Sequence, residues 1–550
     1  MHKVVYVASS AGPSNGMFRL ALLFALVASA IGLFCYGMGW PVAVPASPLA
    51  QGQKLNCLSY APFHGDRAPF DRPLRISEGQ IERDLKQLAE VTSCVRTYSA
   101  ARAQGKITQI ADKLGLKVLQ GIWINRDLAE NRREIEAGLQ LAREHPGVIE
   151  AFIVGNETLL RGELGPDRIK TYLEEVRQRS GLPVTYADVW EFWLRAPELA
   201  PAVDFVTIHI LPYWEDEPVT AADAVQHVRE VRKKVADSFA GKEIWIGEVG
   251  WPSEGRMRAG ALPSPANQAM VLSGVVEAAN AEDWKVNLIE AFDQPWKRLL
   301  EGTVGGYWGL FDDTSRELKF RWGEPVSNHP KWHIEAAFGI GVAFLVFLTA
   351  WLSRRKDDSD EQEGLGRDLA IAAIALGAGL AFGGAALGLP MEPPEPGDRW
   401  RSAGMIVLSL IVPMVAAGAV ARDAPLGNLA VALNAPLRRH ANAWSLMLAI
   451  LFAATLVAAF HVALGLVFDP RYKDFQLAPL SGPVVALAVV ALLNRRMRSA
   501  TGVAEWAAAC LLTGSALFVI FNEGIANWQA LWFGGLLVVL ALTALRTAPD

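Results

Sequence analysis

Two glutamates stand in settings that suit acid–base work on a glycosidic bond. One closes the run Ala151-Phe152-Ile153-Val154-Gly155-Asn156-Glu157, and the other lies in Ile244-Trp245-Ile246-Gly247-Glu248-Val249-Gly250-Trp251. Side chains alternate faces along a strand, so Ile153, Gly155 and Glu157 are expected on one face. Ile244, Ile246 and Glu248 are expected on one face of the second run by the same rule. If the two carboxyls meet, one stays protonated and protonates the leaving oxygen, while the other stays ionised and attacks the anomeric carbon. Mutual repulsion and unequal burial separate their pKa values. A retaining reaction places them about 5–5.5 Å apart. Each glutamate also has a plainer role. Asn156-Glu157 can open a helix, with Asn as N-cap and Glu in the first turn, and Glu248 can pair with a buried arginine. The catalytic expectation comes from taking the two together.

The elements that must position them form a repeated series. Strand candidates are Asn56–Pro62, Ser93–Ser99, Lys117–Ile124, Val148–Glu157, Pro183–Val189, Val203–Leu211, Glu243–Trp251 and Val286–Trp296. Amphipathic helices alternate with them. Ile81–Leu88 carries Ile81, Leu85 and Leu88 on one face, Ala129–Arg143 carries Ile135, Leu139 and Ala142, and Ala221–Val235 carries Ala224, Val225, Val228 and Val231. Apolar strands alternating with helices imply a parallel sheet covered by helices. Eight units suit a (β/α)8 TIM barrel, whose functional groups lie at the C-terminal ends of strands. A doubly wound sheet is the alternative, but its Gly-rich phosphate turn is replaced by Tyr60-Ala61-Pro62-Phe63. Glu157 and Glu248 then end the fourth and seventh strands.

Asn-Glu closing a fourth strand and Glu closing a seventh resembles the retaining (β/α)8 glycosidase clan. Val154-Gly155-Asn156-Glu157 and Gly247-Glu248-Val249-Gly250-Trp251-Pro252-Ser253 are similar, more narrowly, to glycoside hydrolase family 17, the β-1,3-glucanases and glucanosyltransferases. Val95-Arg96-Thr97-Tyr98 is similar to the family's Arg-x-Tyr element. Glu290-Ala291-Phe292-Asp293-Gln294-Pro295-Trp296-Lys297 and Tyr307-Trp308-Gly309-Leu310-Phe311 resemble its fungal and bacterial branch. The likeness covers roughly residues 54–322. It departs at His209-Ile210-Leu211-Pro212-Tyr213, where plant members carry an Asn/Tyr-Pro-Tyr pattern, and this leaves the role of His209 open. The resemblance implies Glu157 as acid/base and Glu248 as nucleophile. It also implies that Asn156 donates to the sugar 2-hydroxyl, that Tyr213 orients Glu248, and that Arg96 and Tyr98 lie at the cleft floor. Asp293 and Lys297 enter as substrate contacts. Tyr60, Trp251, Trp296 and Trp308 offer flat faces near strand ends, with Trp251 and Trp308 preferred as sugar contacts; each Trp could equally fill the core.

The rest of the chain is of another kind. Residues 333–546 are mostly Ala, Leu, Val and Gly between short charged loops. A bilayer core needs about 20 apolar residues as helix. Phe18–Tyr36 is such a run and is longer than a cleavable signal core, so an uncleaved anchor at 18–37 is expected, with 1–17 cytoplasmic; cleavage after Ala46 or Ala50 is the alternative. Further runs lie at about 334–352, 369–389, 403–421, 444–467, 480–494, 503–521 and 526–545, giving about seven spans after the anchor. Lys3, Arg19, Arg354, Arg355, Lys356, Arg422, Arg438, Arg439, Arg495, Arg496, Arg498 and Arg546 alternate correctly for eight spans with both termini cytoplasmic. Arg399/Arg401 and Arg471/Lys473 fall on the outer side against this bias. Residues 51–332 are then a periplasmic glycosidase-like domain of a bacterial inner-membrane protein. The arrangement resembles the rhizobial membrane proteins implicated in cyclic β-1,3/1,6-glucan synthesis, which implies transglycosylation.

Other chemistry is limited. The net charge is −5, and no basic patch interleaved with aromatics points to nucleic acid. Cys35 and Cys510 fall in predicted spans. Cys57 and Cys94 fall in the external domain, as a disulfide worth about 4 kcal/mol by loop closure or as two buried thiols. His64, His209 and His227 show no ligand spacing, so neither metal nor cofactor is expected. His461 lies within a predicted span, where an ionisable group is a functional candidate. Phe468–Phe475 reads as an interfacial anchor loop or a glucan contact. The expected partners are a β-glucan chain, the bilayer and a glucan synthase. Three functions compete: a transglycosylase that branches or remodels β-1,3/β-1,6 glucan, a β-1,3-glucan hydrolase, and a non-catalytic glucan-binding or export protein.

Overall fold

A computed structural model describes residues 15–71, 74–354, 361–393, 396–433, 443–493 and 502–547. Lys3 and most of the 1–17 segment, with Arg355, Lys356, Arg438, Arg439, Arg495, Arg496 and Arg498, lie outside the described residues. The chain divides into two compact units, Pro41–Asn328 and a second made of Met1–Trp40 with His329–Asp550.

The first unit is a closed barrel of eight parallel strands in sequence order, a TIM barrel. They are β1 (Cys57–Ser59), β2 (Cys94–Arg96), β3 (Lys117–Ile122), β4 (Ile149–Asn156), β5 (Val184–Val189), β6 (Val206–His209), β7 (Ile244–Val249) and β8 (Val286–Leu288). The amphipathic helices surround it. Ser77 caps Glu78–Val91, accepting from the Gln80 N–H, and the helix buries Ile81, Leu85 and Leu88. Asp127 caps Leu128–Glu144, accepting from Ala129 and Glu130 N–H groups, and that helix buries Ile135 and Leu139. These apolar stripes join the outward side chains of the strands in one core. Inside the barrel, Cys57, Cys94, Leu119, Ala151, Ile153, Ala187 and Phe205 form a separate apolar layer. Cys57 and Cys94 are disulfide-bonded there.

Strict alternation fails at the ends of the two strands that matter. On β7 it is Trp245, stacked on Phe205 at 4.0 Å, that joins the interior layer, whereas Ile244 and Ile246 belong to the core beneath the helices. A register shift between Ile246 and Val249 then brings Glu248 inward. On β4 a shift lies between Ile153 and Asn156, with Gly155 at φ +89° and Glu157 at φ +53°. One extra residue in a strand re-aims those after it, so the neighbours Asn156 and Glu157 both reach the mouth.

Among the described residues of the second unit six helices are long and apolar enough to cross a membrane: Met17–Met38, Trp332–Ser353, Gly364–Met391, Arg399–Ala421, Ala443–Phe468 and Val503–Glu523. Leu477–Leu493 and Trp528–Ala544 are apolar but have 17 residues, about 26 Å at 1.5 Å per residue. Both fall among the spans expected from sequence and are shorter than the rest. Small residues let the backbones approach: a Cβ on Gly339 would lie 2.3 Å from the Gly379 carbonyl oxygen. His461 is exposed on its helix, so it is not part of a buried polar site within the described residues of this unit.

Candidate active site

Arg96, at the end of β2, is fully buried and forms the hub of the barrel mouth. Its guanidinium donates to Glu248 Oε1 and to Asn156 Oδ1, and more weakly to the Gly247 carbonyl at 3.3 Å. Fixing Asn156 Oδ1 as the acceptor leaves Nδ2 as its donor. The Tyr98 hydroxyl lies 3.0 Å from Glu248 Oε1. His209, at the end of β6, lies across both acids: Nδ1 is 2.8 Å from Glu157 Oε1 and Nε2 is 3.7 Å from Glu248 Oε1. Gly247 makes this possible, because a Cβ there would lie 2.4 Å from Thr207 Cγ2 and 3.2 Å from His209 Cδ2.

The acids therefore meet, with carboxylate oxygens of Glu157 and Glu248 within 4.8 Å of each other. Their surroundings differ. The Glu248 side chain is 6% exposed and that of Glu157 24%. Burial pushes the Glu248 carboxyl up, but His209, Arg96 and Lys297 together outweigh it and hold it below its ordinary value. Glu157 follows directly from β4 with a left-handed backbone, uncommon outside glycine and enriched at functional sites. Its N–H donates to Ala187 O at 2.8 Å. The next turn is pinned by the Leu159 N–H donating to the Tyr186 hydroxyl at 2.8 Å and to Asp188 Oδ2 at 3.2 Å. Burial and the nearby Glu157 lift Asp188 to about 6, against the pull of the Tyr186 hydroxyl.

Glu157, His209 and Glu248 also form a cluster whose ligand atoms could hold a cation, a grouping that sequence spacing did not indicate because the three residues come from different barrel strands. The Arg96 guanidinium already sits on Glu248, and its fixed positive charge opposes a second cation at the same carboxylate.

Other expected contacts lie elsewhere. Tyr213 is buried and donates to the Arg256 carbonyl at 2.8 Å; the hydroxyl at Glu248 is that of Tyr98. Tyr60 is buried and donates to Asp84 at 2.8 Å, so its ring offers no face to a sugar. Trp251 is likewise buried, with Nε1 donating to Leu262 O at 3.0 Å, and Trp308 is 3% exposed. Both pack edge-to-face against Tyr213. The half-buried rings near strand ends are instead Trp123, Trp190, Trp214 and Trp296. Asp293 is buried, accepting from Lys319 Nζ at 2.7 Å and the Gly309 N–H at 2.8 Å, and it ties loops together rather than facing the cleft. Lys297 donates to Glu290 at 2.8 Å. Burial lifts Glu290 to about 7 against the pull of Lys297.

Sequence reasoning passed over Ser59, Asp188 and Asn287. Asn287 interrupts the apolar Val286–Leu288 strand at an inward position, and that polar break was the available signal.

Residues 57–309 match the family described as the BtgE/BtgC glycoside hydrolase domain. A glucan 1,3-β-glucosidase of Saccharomyces cerevisiae is 26% identical over 273 residues, covering 44% of this chain and 85% of the yeast protein. A glucan 1,3-β-glucosidase of Candida albicans is 27% identical over 266 residues, again covering 44% and 85%. A crystal structure of a glycoside hydrolase family 17 β-1,3-glucanosyltransferase from Rhizomucor miehei aligns with a TM-score of 0.43 and 24% identity, over 49% of this chain and 96% of that one. The family match and the yeast relatives all fall on the barrel, which is similar to these glycoside hydrolases.

Proposed function

We propose that the chain is a retaining transglycosylase that remodels or branches β-1,3-glucan through a glycosyl–enzyme on Glu248. The observation that carries this is the pairing of a buried, ionised Glu248 with a more exposed Glu157 inside 4.8 Å. That gap is close to the retaining separation and too narrow for the water an inverting enzyme places between its acids. Glu157 protonates the leaving oxygen as Glu248 attacks, then deprotonates the incoming hydroxyl. In transfer, that hydroxyl belongs to a second sugar instead of water. Asn156 donates through Nδ2 to the 2-hydroxyl of the reacting sugar, a bond that strengthens in the transition state. Trp296, on the same turn as Lys297, is the half-buried ring we assign to sugar stacking. The glucan assignment is supported by the relatives named as glucan 1,3-β-glucosidases.

The anchoring half makes the enzyme a bacterial inner-membrane protein with eight spans and a periplasmic barrel, bounded near residues 51–332. Arg354, Arg422 and Arg546 follow the ends of apolar helices that meet the cytoplasm in this topology. A β-glucan made or exported beside it, by a glucan synthase, is the natural substrate of such an arrangement.

The test is to incubate the full-length protein in detergent with linear β-1,3-gluco-oligosaccharides and size the products. Longer or branched chains support transfer. Products that are all shorter than the substrate favour the glucan hydrolase that the relatives' names suggest. No turnover, with normal glucan output in cells carrying Glu248→Gln, removes the enzymatic reading in favour of a binding or export role.

A further inference from the structure

The Tyr98 hydroxyl has one proton and two oxygens within reach. Ser59 Oγ and Glu248 Oε1 each lie 3.0 Å from it. Which of them receives the proton decides whether Tyr98 stabilises the Glu248 carboxylate or presents a lone pair to it. The answer lies one step further back, on β8. Asn287 Nδ2 is 2.7 Å from Ser59 Oγ and 2.7 Å from the Gly247 carbonyl oxygen. A carbonyl only accepts, so the Gly247 contact fixes the Asn287 amide with its nitrogen on this side. An amide nitrogen only donates, so Ser59 must accept from Asn287. Its own proton is then free for Tyr98. If Tyr98 donated to Ser59 instead, its oxygen would face the carboxylate at 3.0 Å with no hydrogen between them. Only one ordering satisfies every contact: Asn287 to Ser59, Ser59 to Tyr98, Tyr98 to Glu248.

We propose that Asn287 and Ser59 are positioning residues that set the direction of the Tyr98 proton and so hold Glu248 as an oriented, ionised nucleophile. This rests on the catalytic reading above. Ser59 and Asn287 are 1% and 2% exposed, so water does not compete for the relay. Asn287 also grips the carbonyl of Gly247, the residue before the nucleophile, and thereby fixes its backbone. A chain of donors pointing one way strengthens each bond along it. No covalent bond changes in this relay; only the hydroxyl rotors are ordered.

The experiment is a double-mutant cycle on the full-length protein with two readouts. One is kcat/KM on β-1,3-gluco-oligosaccharides. The other is the rate at which an epoxyalkyl β-glucoside esterifies Glu248, followed by peptide mass spectrometry. Ser59→Ala is expected to slow both by about fivefold, roughly one hydrogen bond, with the loss in kcat rather than KM. Ser59→Thr, which keeps the hydroxyl, is expected within about twofold of wild type. In a Tyr98→Phe background Ser59→Ala should add nothing further, because its effect passes through the missing hydroxyl. It should also add nothing in an Asn287→Asp background, where a carboxylate turns the Ser59 proton away from Tyr98. Losses that multiply in either background, or a Ser59→Ala protein equal to wild type, overturn the relay. A wild-type protein not esterified at Glu248 overturns both the relay and the catalytic reading. One that is esterified but leaves β-1,3-gluco-oligosaccharides untouched overturns only the substrate assignment, and the cycle is then read from esterification.

Discussion

Replacing Arg96 by methionine removes the guanidinium that donates to Glu248 while keeping much of the side-chain volume. Arg96 is fully buried and Glu248 is 5% exposed, so neither is well screened by solvent. Two unit charges about 4 Å apart attract by about 4 kcal/mol at an effective permittivity of ~20. At 1.36 kcal/mol per pH unit this corresponds to about 3 units of pKa. His209 and Lys297 still act on Glu248, and water will enter part of the space, so a rise of about 1–2 units is expected. In the wild type the folded-state value of Glu248 lies below the unfolded one. Its ionised form thus contributes stability above the unfolded value, and that contribution is lost as pH falls through the folded value. In Arg96→Met the folded value rises toward the unfolded one, so this pH-dependent contribution shrinks. The assay is the pH dependence of kcat/KM on β-1,3-gluco-oligosaccharides, with Tm measured over the same range. The acid limb should move up by about 1–2 pH units, with most of the deficit at low pH. A uniform loss at every pH with an unmoved limb would refute the electrostatic role of Arg96.

Glu157→Ala should lower turnover by about 10²–10⁴-fold, and azide should restore part of it by yielding a glycosyl azide that retains the β configuration; an α product would refute retention at Glu248. Gly247→Ala puts a methyl 2.4 Å from Thr207 and 3.2 Å from His209. It should destabilise by about 1–3 kcal/mol and displace His209 from the acids, seen as a lowered Tm together with a shifted pH profile. Replacing Cys57 and Cys94 by serine opens a loop of 37 residues and should remove about 4 kcal/mol of stability, read by denaturant unfolding of wild type and variant. An unchanged midpoint would mean that the unfolded state is already compact without the bond.

The sequence by itself determined the series of strands and helices, the two glutamates at the ends of β4 and β7, and the division between charged and apolar halves. These are legible because burial imposes periods on local sequence: an amphipathic stripe on Glu78–Val91 or a long apolar run such as Ala443–Phe468 is written in consecutive residues. The tertiary structure decided what meets what. The shifts at Ile153/Asn156 and Ile246/Val249 depend on pairing with neighbouring strands, so alternation wrongly put Ile244 and Ile246 on the face of Glu248. Barrel closure brings Arg96, Asn156, His209 and Glu248 together from four strands, and it places Asn287 beside Ser59, 228 positions away. It also turned Trp251 and Tyr60 into buried packing and left Trp296 half exposed. Solvent exposure and proton direction are properties of the closed sheet, because they depend on distant neighbours that no local pattern encodes.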